Sequence, residues 1–568
     1  MTVETPIPQP EKSVTQSHEN CNIASYLPLM ASQAPDRAAV VATVSRDARG
    51  RAEYKQLTFA ELEAMSNRYA NGLQSIGIGQ GMRTLVMVRP GFEFIALAFA
   101  LFKLRAVPVL IDPGMGVAHM LDSIRNVQPE AFVGISPAQM MRRLRPGAFR
   151  TVKRVVTLGR RWFWGGSSLR ALHDRSAADF TIPPTSGDDL AAILFTSGAT
   201  GSPKGVVYQH GMFDAQVRMI QSAYRIKPGE VDMPAFPLFA LFSTAMGMTS
   251  VIPDMDPSHP AQVDPANLVE AIIDHRVTSS FGSPAIWQRV SNHCLARRIK
   301  LPTIRRILIA GAPVSWRLLE RLRQILHSSA DIHTPYGATE SLPVSSIAAR
   351  EVLYKVSALS RRGAGICVGR PLPGVKLRII RISDEPIRQW SDSLLVPQGQ
   401  PGEIVVSSPA VTREYFGLPQ ATALAKIPDR DNVWHRIGDV GYLDDLGRIW
   451  YCGRKAHRVV TPKGIIFSVP CEAIFNEHPE VARSALVGVG HLGRQRPVIV
   501  IEPLPGQFPN KGVTRLRFKG ELLERAAASE LTRQIKDVLF HQSFPVDVRH
   551  NVKINREALA AWAEEQLR

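Results

Sequence analysis

The sequence predicts an α/β protein. A large N-terminal lobe of parallel-rich sheets flanked by helices, with a small β subdomain, is followed by a smaller α+β domain at the C-terminus. Three observations predict this. Over the first three-quarters of the chain, helical stretches alternate with short β-branched runs, which implies parallel sheets covered on both faces. Near Gly402 the runs become strand-rich, as in Glu403–Ser407 and Arg448–Tyr451, and mark the small β-rich unit. Past Gly453 and Arg454 a compact α+β segment continues to the end, with a basic insertion from Asn510 to Lys519.

Taken in order, residues 1–20 are polar, with Pro6, Pro8 and Pro10, and read as a flexible tail without a secretory signal. Thr58 to Ile76 is predicted helical. Thr58 and Glu61 have capping-box spacing, and Leu62, Met65, Tyr69 and Leu73 share one face. Thr84–Val88 is a strand, Phe92–Leu104 a helix and Val107–Ile111 a strand. Pro108 lacks an N–H, so that strand should begin there or lie at a sheet edge. Leu190–Phe195, Arg306–Ala310 and Val375–Ile382 continue the alternation. The large domain is placed at 21–453 and the small one at 454–568, with the boundary at Gly453 to Ala456.

Lys and Arg outnumber Asp and Glu by 68 to 50. The balance favours acidic partners such as nucleotides, an anionic membrane or an acidic protein, but a basic solvated surface accounts for it better, and a nucleotide-binding cleft for only part of it. A basic, aromatic-rich patch is formed by Arg142, Arg143, Arg145, Arg150, Lys153, Arg154, Arg160, Arg161, Trp162, Phe163 and Trp164. It reads either as a membrane or partner contact or as a plain surface loop beside the strand Val155–Leu158. Phe94–Phe102 is too short to span a bilayer, and Met233–Pro253 is interrupted by prolines, glycine and hydroxyl residues; both read as core. The five cysteines are scattered, lack metal-ligand spacing, and suit reduced thiols in a cytoplasmic chain.

The strongest chemical signal is the stretch from Phe195 to Gly205, which follows an apolar strand. Three glycines and four hydroxyl residues in eleven positions give a loop whose N–H and O–H groups can surround phosphate oxygens, with Lys204 adding charge. It lacks the spacing of a Walker loop. Gly311-Ala312-Pro313 follows the strand-like Ile307–Ile309, and Tyr336-Gly337-Ala338-Thr339-Glu340 comes one helix and one strand later. The segment Trp434–Tyr442, containing Asp439, leads to Gly453-Arg454, and Asn551–Arg556, containing Lys553, lies near the C-terminus.

In this order and spacing the motifs resemble the adenylate-forming superfamily of acyl-CoA synthetases, adenylation domains and luciferases, over about residues 22–560. Within it, Gly453–Val460, Val469–Glu472 and Asp547–Ile554 look most similar to the β-lactone synthetases of bacterial long-chain olefin biosynthesis. The resemblance implies ATP and Mg2+ as cofactors and a mobile C-terminal domain. It also implies a long-chain hydroxy acid substrate and a multienzyme assembly with condensing and decarboxylating enzymes, with no nucleic-acid partner. It implies that Thr196, Ser197, Gly198, Thr200, Gly201 and Lys204 hold the β- and γ-phosphates, and that Gly311, Ala312, Pro313, Tyr336 and Gly337 form the adenine slot. Thr339 would meet the α-phosphate, Glu340 the magnesium, Asp439 the ribose hydroxyls, and Arg454 the ribose or a phosphate. Lys553 would join the α-phosphate to the substrate carboxylate.

Several positions depart from the acyl-CoA synthetase pattern. Ala456 stands where Asp or Lys is usual, Ile465 and Ile466 follow Gly464 where a Gly-x-Arg step is common, Ala240 follows Pro237-Leu238-Phe239 in place of histidine, and Ala199 replaces a hydroxyl residue. The first two changes weigh against a thiol acceptor. A hydroxyl on C3 of the acid could instead attack the activated carbonyl and close a β-lactone. The alternative is a long-chain fatty acyl-CoA or acyl-AMP ligase. The run Phe236, Leu238, Phe239, Leu241, Phe242, Met246 and Met248 reads as either an alkyl tunnel or ordinary core.

Overall fold

A computed structural model describes residues 21–196, 203–510, 512–546 and 554–568. Two sheets build the N-terminal lobe. The seven-stranded sheet runs in the order Ser167–Ser168, Arg154–Leu158, Ala131–Ile135, Arg83–Met87, Val107–Ile111, Leu190–Thr196 and Lys204–Gln209. Every pair is parallel except the last. The strand carrying Pro108 is therefore interior, which corrects the edge placement. The Val107 N–H donates to Met82 O on one flank, and on the other the ladder with Leu190–Thr196 starts only at Val109. Successive N–H groups point to opposite sides, so the proline sits where no donor is needed.

The second sheet has fourteen strands. Its middle is parallel and contains Ala38–Arg46, Thr249–Ile252, Val231–Pro234, Ser279–Gly282, Arg306–Ile309 and Asp331–Ala338. From Ser341–Ala348 the pairing turns antiparallel and continues through Ile366–Pro371, Ile449–Arg454, Asn432–Leu443, Gly402–Ser407 and Lys376–Ile380. The β-rich unit expected near Gly402 thus extends the second sheet. Lys376–Ile380, expected to continue the parallel pattern, pairs antiparallel with Gly402–Ser407. A strand's own residues carry little information about its partner's direction.

The helix Phe59–Ser75 begins at Thr58 with the predicted reciprocal cap: Glu61 N–H donates to Thr58 Oγ1 at 3.2 Å, and Thr58 N–H to Glu61 Oε2 at 2.8 Å. Leu62, Tyr69 and Leu73 are buried as expected. The helix Phe92–Lys103 is buried from Phe94 onward, so its apolar run is core. Lys103 at its end is fully buried but paired, donating to Glu63 Oε2 at 2.7 Å and Ser66 Oγ at 2.8 Å. Burying a cation is tolerable only with such partners. Met233–Pro253 is likewise core. Among the described residues no helix is long and apolar enough to cross a membrane, and all five cysteines are free thiols.

The smaller C-terminal domain has a three-stranded sheet of Val481–Val489, Arg496–Pro503 and Asp537–Phe540, with helices Ser468–Phe475, Gly512–Ala527 and Arg556–Leu567. Much of the basic segment Asn510–Lys519 lies in the second of these helices, which seats Phe518 and Leu522 in the core of this domain.

Candidate active site

The parallel strands of the second sheet end near Gly282, Ile309 and Ala338, the rim where open α/β sheets gather ligand sites. Gly311, Ala312 and Pro313 follow the strand Arg306–Ile309. Leu308, the last residue of that strand to pair with its neighbour Asp331–Ala338, meets His333 on the strand that carries Tyr336, so the Gly311 turn leaves the sheet beside it. Gly311 has a φ of +92°, a backbone state that suits glycine.

Thr339 and Glu340 form the two-residue turn between the antiparallel strands Asp331–Ala338 and Ser341–Ala348. A Cβ at Gly337 would lie 2.7 Å from Ser341 O, so the turn closes only over a glycine. Three clamps hold it. The Tyr208 hydroxyl, from the seven-stranded sheet, donates to Thr339 O. Thr412 donates to Glu340 O through its N–H at 2.9 Å and its hydroxyl at 3.2 Å. The Tyr415 hydroxyl donates to Glu340 Oε1 at 2.7 Å. Lys426 Nζ in turn donates to Thr412 O and, at 3.1 Å, to Thr412 Oγ1. Lys204 Nζ lies 5.0 Å from the centroid of the Tyr415 ring, so the lysine of the glycine-rich stretch shares one tyrosine with Glu340.

Asp439 and Arg454 face each other as register partners of adjacent strands. An Arg454 guanidinium nitrogen lies 3.0 Å from Asp439 Oδ1, and the Tyr336 hydroxyl donates to Asp439 Oδ2 at 2.6 Å. Burial pushes the Asp439 carboxyl up, Arg454 and Tyr336 pull it down, and the Glu340 carboxylate adds to the upward push. Burial, followed by Asp439, carries the Tyr336 hydroxyl well above its ordinary range. Arg454 also feels Glu340, so these groups share one electrostatic neighbourhood.

Two buried basic groups adjoin it. Burial lowers Lys426 to about 7, opposed by the Glu340 charge. Its ladder partner His435 is pushed well below its ordinary value by burial and then by Lys426, Lys204 and Arg454. Sequence reasoning missed Tyr208, Thr412, Tyr415, Lys426 and His435. The available signal was a lysine within the otherwise apolar Leu424–Ile427.

Of the residues expected at the site, the contacts join Lys204, Tyr336, Thr339, Glu340, Asp439 and Arg454, with Gly311–Pro313 and Gly337 on the adjoining backbone. Thr196 ends its strand. Ser197, Gly198, Thr200, Gly201 and Lys553 lie outside the described residues, as does Ala199. Three residues beyond Lys553, Arg556 pairs with Glu472 at 2.9 Å, and both lie close enough to bear on the Tyr451 hydroxyl, which faces Tyr336 across 6.4 Å between ring centroids.

An apolar cleft runs beside the site, lined by Phe239, Phe242, Met246, Met248, Phe281 and Pro335 among others. Its open space is about 40 Å3, far short of the roughly 300–1,000 Å3 of a typical ligand pocket. Phe239 and Phe281 stack across it at 3.8 Å. Its floor is polar: Asp232, pushed up to about 6 by burial, accepts from the Ser243 hydroxyl at 2.6 Å.

A Gly-Ala-Pro strand end, a clamped Thr-Glu turn and a buried Asp439 held by Tyr336 and Arg454 define the class. The chain belongs to the AMP-binding enzyme family, whose profile matches residues 29–416. It is 46% identical over 558 residues to the olefin beta-lactone synthetase of Stenotrophomonas maltophilia, covering 96% of this chain and 99% of that protein. To the olefin beta-lactone synthetase of Xanthomonas campestris it is 45% identical, covering 96% and 98%. Among solved structures it is similar to AMP-bound O-succinylbenzoate coenzyme A synthetase of Bacillus subtilis, with TM-score 0.72, 21% identity, and coverage of 95% of this chain and 98% of that one.

Proposed function

We propose that this enzyme activates a 2-alkyl-3-hydroxyalkanoic acid with ATP as its acyl-AMP and closes it to a β-lactone, releasing pyrophosphate and then AMP. The observation that carries the reading is the Tyr336–Asp439–Arg454 group beside the Thr339–Glu340 turn, in a chain nearly half identical over its length to proteins of that name. Asp439 would grip the ribose hydroxyls through charge-assisted hydrogen bonds, oriented by Tyr336 and Arg454. Thr339 and Lys553 would steady the α-phosphate, and Lys553 would draw in the substrate carboxylate, so that two mutually repelling anions meet in line. Residues 197–202 and Lys204 would hold the leaving phosphates.

Glu340 fits Mg2+ as a partner shared with phosphates. Its Oε1 is held by Tyr415, no donor among the described residues meets its Oε2, and a single carboxylate with phosphates and water suits that ion. When bound, Mg2+ would neutralise charge on the phosphate oxygens. In the second step the 3-hydroxyl oxygen bonds to the acyl carbon, the bond from that carbon to the phosphate oxygen breaks, AMP departs and the hydroxyl proton is lost to solvent.

Residues 21–453 and 454–568 would be the large and small domains, the latter bringing Lys553 to the site. The enzyme would work in the cytoplasm beside condensing and decarboxylating enzymes that supply the acid and consume the lactone, without a nucleic-acid partner. The test is incubation with ATP and a 3-hydroxy acid, with and without coenzyme A, followed by NMR of the product. Lactone and AMP should form without coenzyme A. A thioester, or arrest at the adenylate, would overturn the reading in favour of an acyl-CoA or acyl-AMP ligase.

A further inference from the structure

We propose that the edge of the seven-stranded sheet around residues 142–164 docks on an anionic phospholipid bilayer. From Ala131 to His173 the chain has nine Lys or Arg and no Asp or Glu. Arg143, Arg145, Arg150, Lys153, Arg160 and Arg161 are exposed, and among the described residues none meets a carboxylate. Elsewhere this protein commonly pairs its arginines, as at Arg46, Arg306 and Arg496. A face of unpaired like charge attracts a surface of opposite sign.

Beside Arg143, Arg160 and Arg161, at the end of the strand Arg154–Leu158 away from Arg150 and Lys153, apolar groups project. Trp162 is 55%, Phe163 66% and Leu144 69% exposed. The loop presenting them is built. Trp164 is buried and donates from Nε1 to Thr157 Oγ1 at 3.1 Å, and Trp162 stacks on it at 5.7 Å. Arg142 donates to Trp164 O at 2.9 Å, Arg143 to Phe163 O at 3.4 Å and Arg161 to Gly166 O at 2.6 Å. The aromatic tip is thus held out from the fold. Two rings and a leucine are too small an apolar surface for the core of a specific protein interface. They suit the headgroup layer, where Trp is favoured and arginines meet lipid phosphates. A single-stranded nucleic acid would stack its bases on free aromatic faces, and one face of Trp162 already lies on Trp164.

This surface is independent of the catalytic reading, and vesicle binding measured without substrate tests it alone. The full chain is sedimented with phosphatidylcholine vesicles and with vesicles in which a third of the lipid is phosphatidylglycerol, at low and high salt. It should bind the anionic vesicles at least about 10-fold more tightly and release at high salt. The Trp162→Ala/Phe163→Ala pair should weaken binding about 10-fold, and the Arg143→Ala/Arg160→Ala/Arg161→Ala triple about 100-fold. Both should keep their thermal midpoint and their ATP–pyrophosphate exchange with a water-soluble acid. No vesicle binding, equal binding to neutral vesicles, or variants that bind like the parent would overturn the proposal. So would capture of RNA or an acidic protein by this face in place of lipid.

Discussion

Lys426→Met probes the most perturbed cation near the site. Lys426 is buried, and among the described residues its hydrogen bonds go to Thr412 O and Oγ1. Its ordinary value of 10.5 falls to about 7. That difference is worth about 5 kcal/mol at about 1.4 kcal/mol per pH unit. The folded value is depressed, so the full stability is present above 10.5 and is lost as pH falls to about 7, because the unfolded chain takes up the proton first. Below that both states are protonated and no further loss occurs. Methionine has no such proton. Its cost is the donor withdrawn from Thr412, about 1–3 kcal/mol. Near neutral pH the variant should be more stable than the parent by roughly 2–4 kcal/mol, and the advantage should shrink by about 1.4 kcal/mol per pH unit above neutrality. Unfolding of parent and variant in urea, compared from about pH 6 to about pH 9.5, reads this directly. A difference that stays constant over that range would refute the reasoning, because it would mean that the folded protein keeps Lys426 charged throughout.

Three more outcomes follow from the site. Lys553→Ala should lower adenylate formation about 10²–10³-fold in ATP–pyrophosphate exchange while leaving ATP binding by calorimetry nearly intact; equal loss of both contradicts its role. If Asp439 grips the ribose as proposed, Asp439→Ala should remove two charge-assisted contacts of about 1.5–3 kcal/mol each and raise the KM for ATP by roughly 10²–10⁴-fold; an unchanged KM takes the ribose away from it. Phe239→Ala opens the cleft that Phe239 and Phe281 close at 3.8 Å. It should shift kcat/KM across a series of acids toward bulkier alkyl chains, and an unaltered chain-length profile would mean that the cleft is not the alkyl site.

Much of this was legible where the determining interactions are local. The Thr58–Glu61 cap, the buried face of the following helix and the strand Val107–Ile111 each rest on neighbours in sequence. The Gly311, Tyr336 and Asp439 segments stood out by residue types that suit nucleotide contact, and the Tyr336 hydroxyl reaches Asp439. Illegible parts depend on the partner across space. Pro108 is interior because the next ladder begins one residue later. Lys376–Ile380 is antiparallel because its neighbour is Gly402–Ser407. Tyr208 and Tyr415 became visible only when the two sheets brought them to the Thr339–Glu340 turn.

That turn also governs when the enzyme becomes competent. Its clamps come from residues 131, 72 and 75 positions away in sequence, and the Tyr336–Asp439 bond spans 103. Contacts between such distant segments close slowly, after local helices have formed. During refolding, helical signal should therefore recover well before nucleotide affinity, and an intermediate with most of its secondary structure should be unable to hold ATP. A fragment ending short of Asn432–Leu443 would keep the whole parallel core and lack Asp439. Recovery of nucleotide binding is thus a clock for the long-range closure of this site.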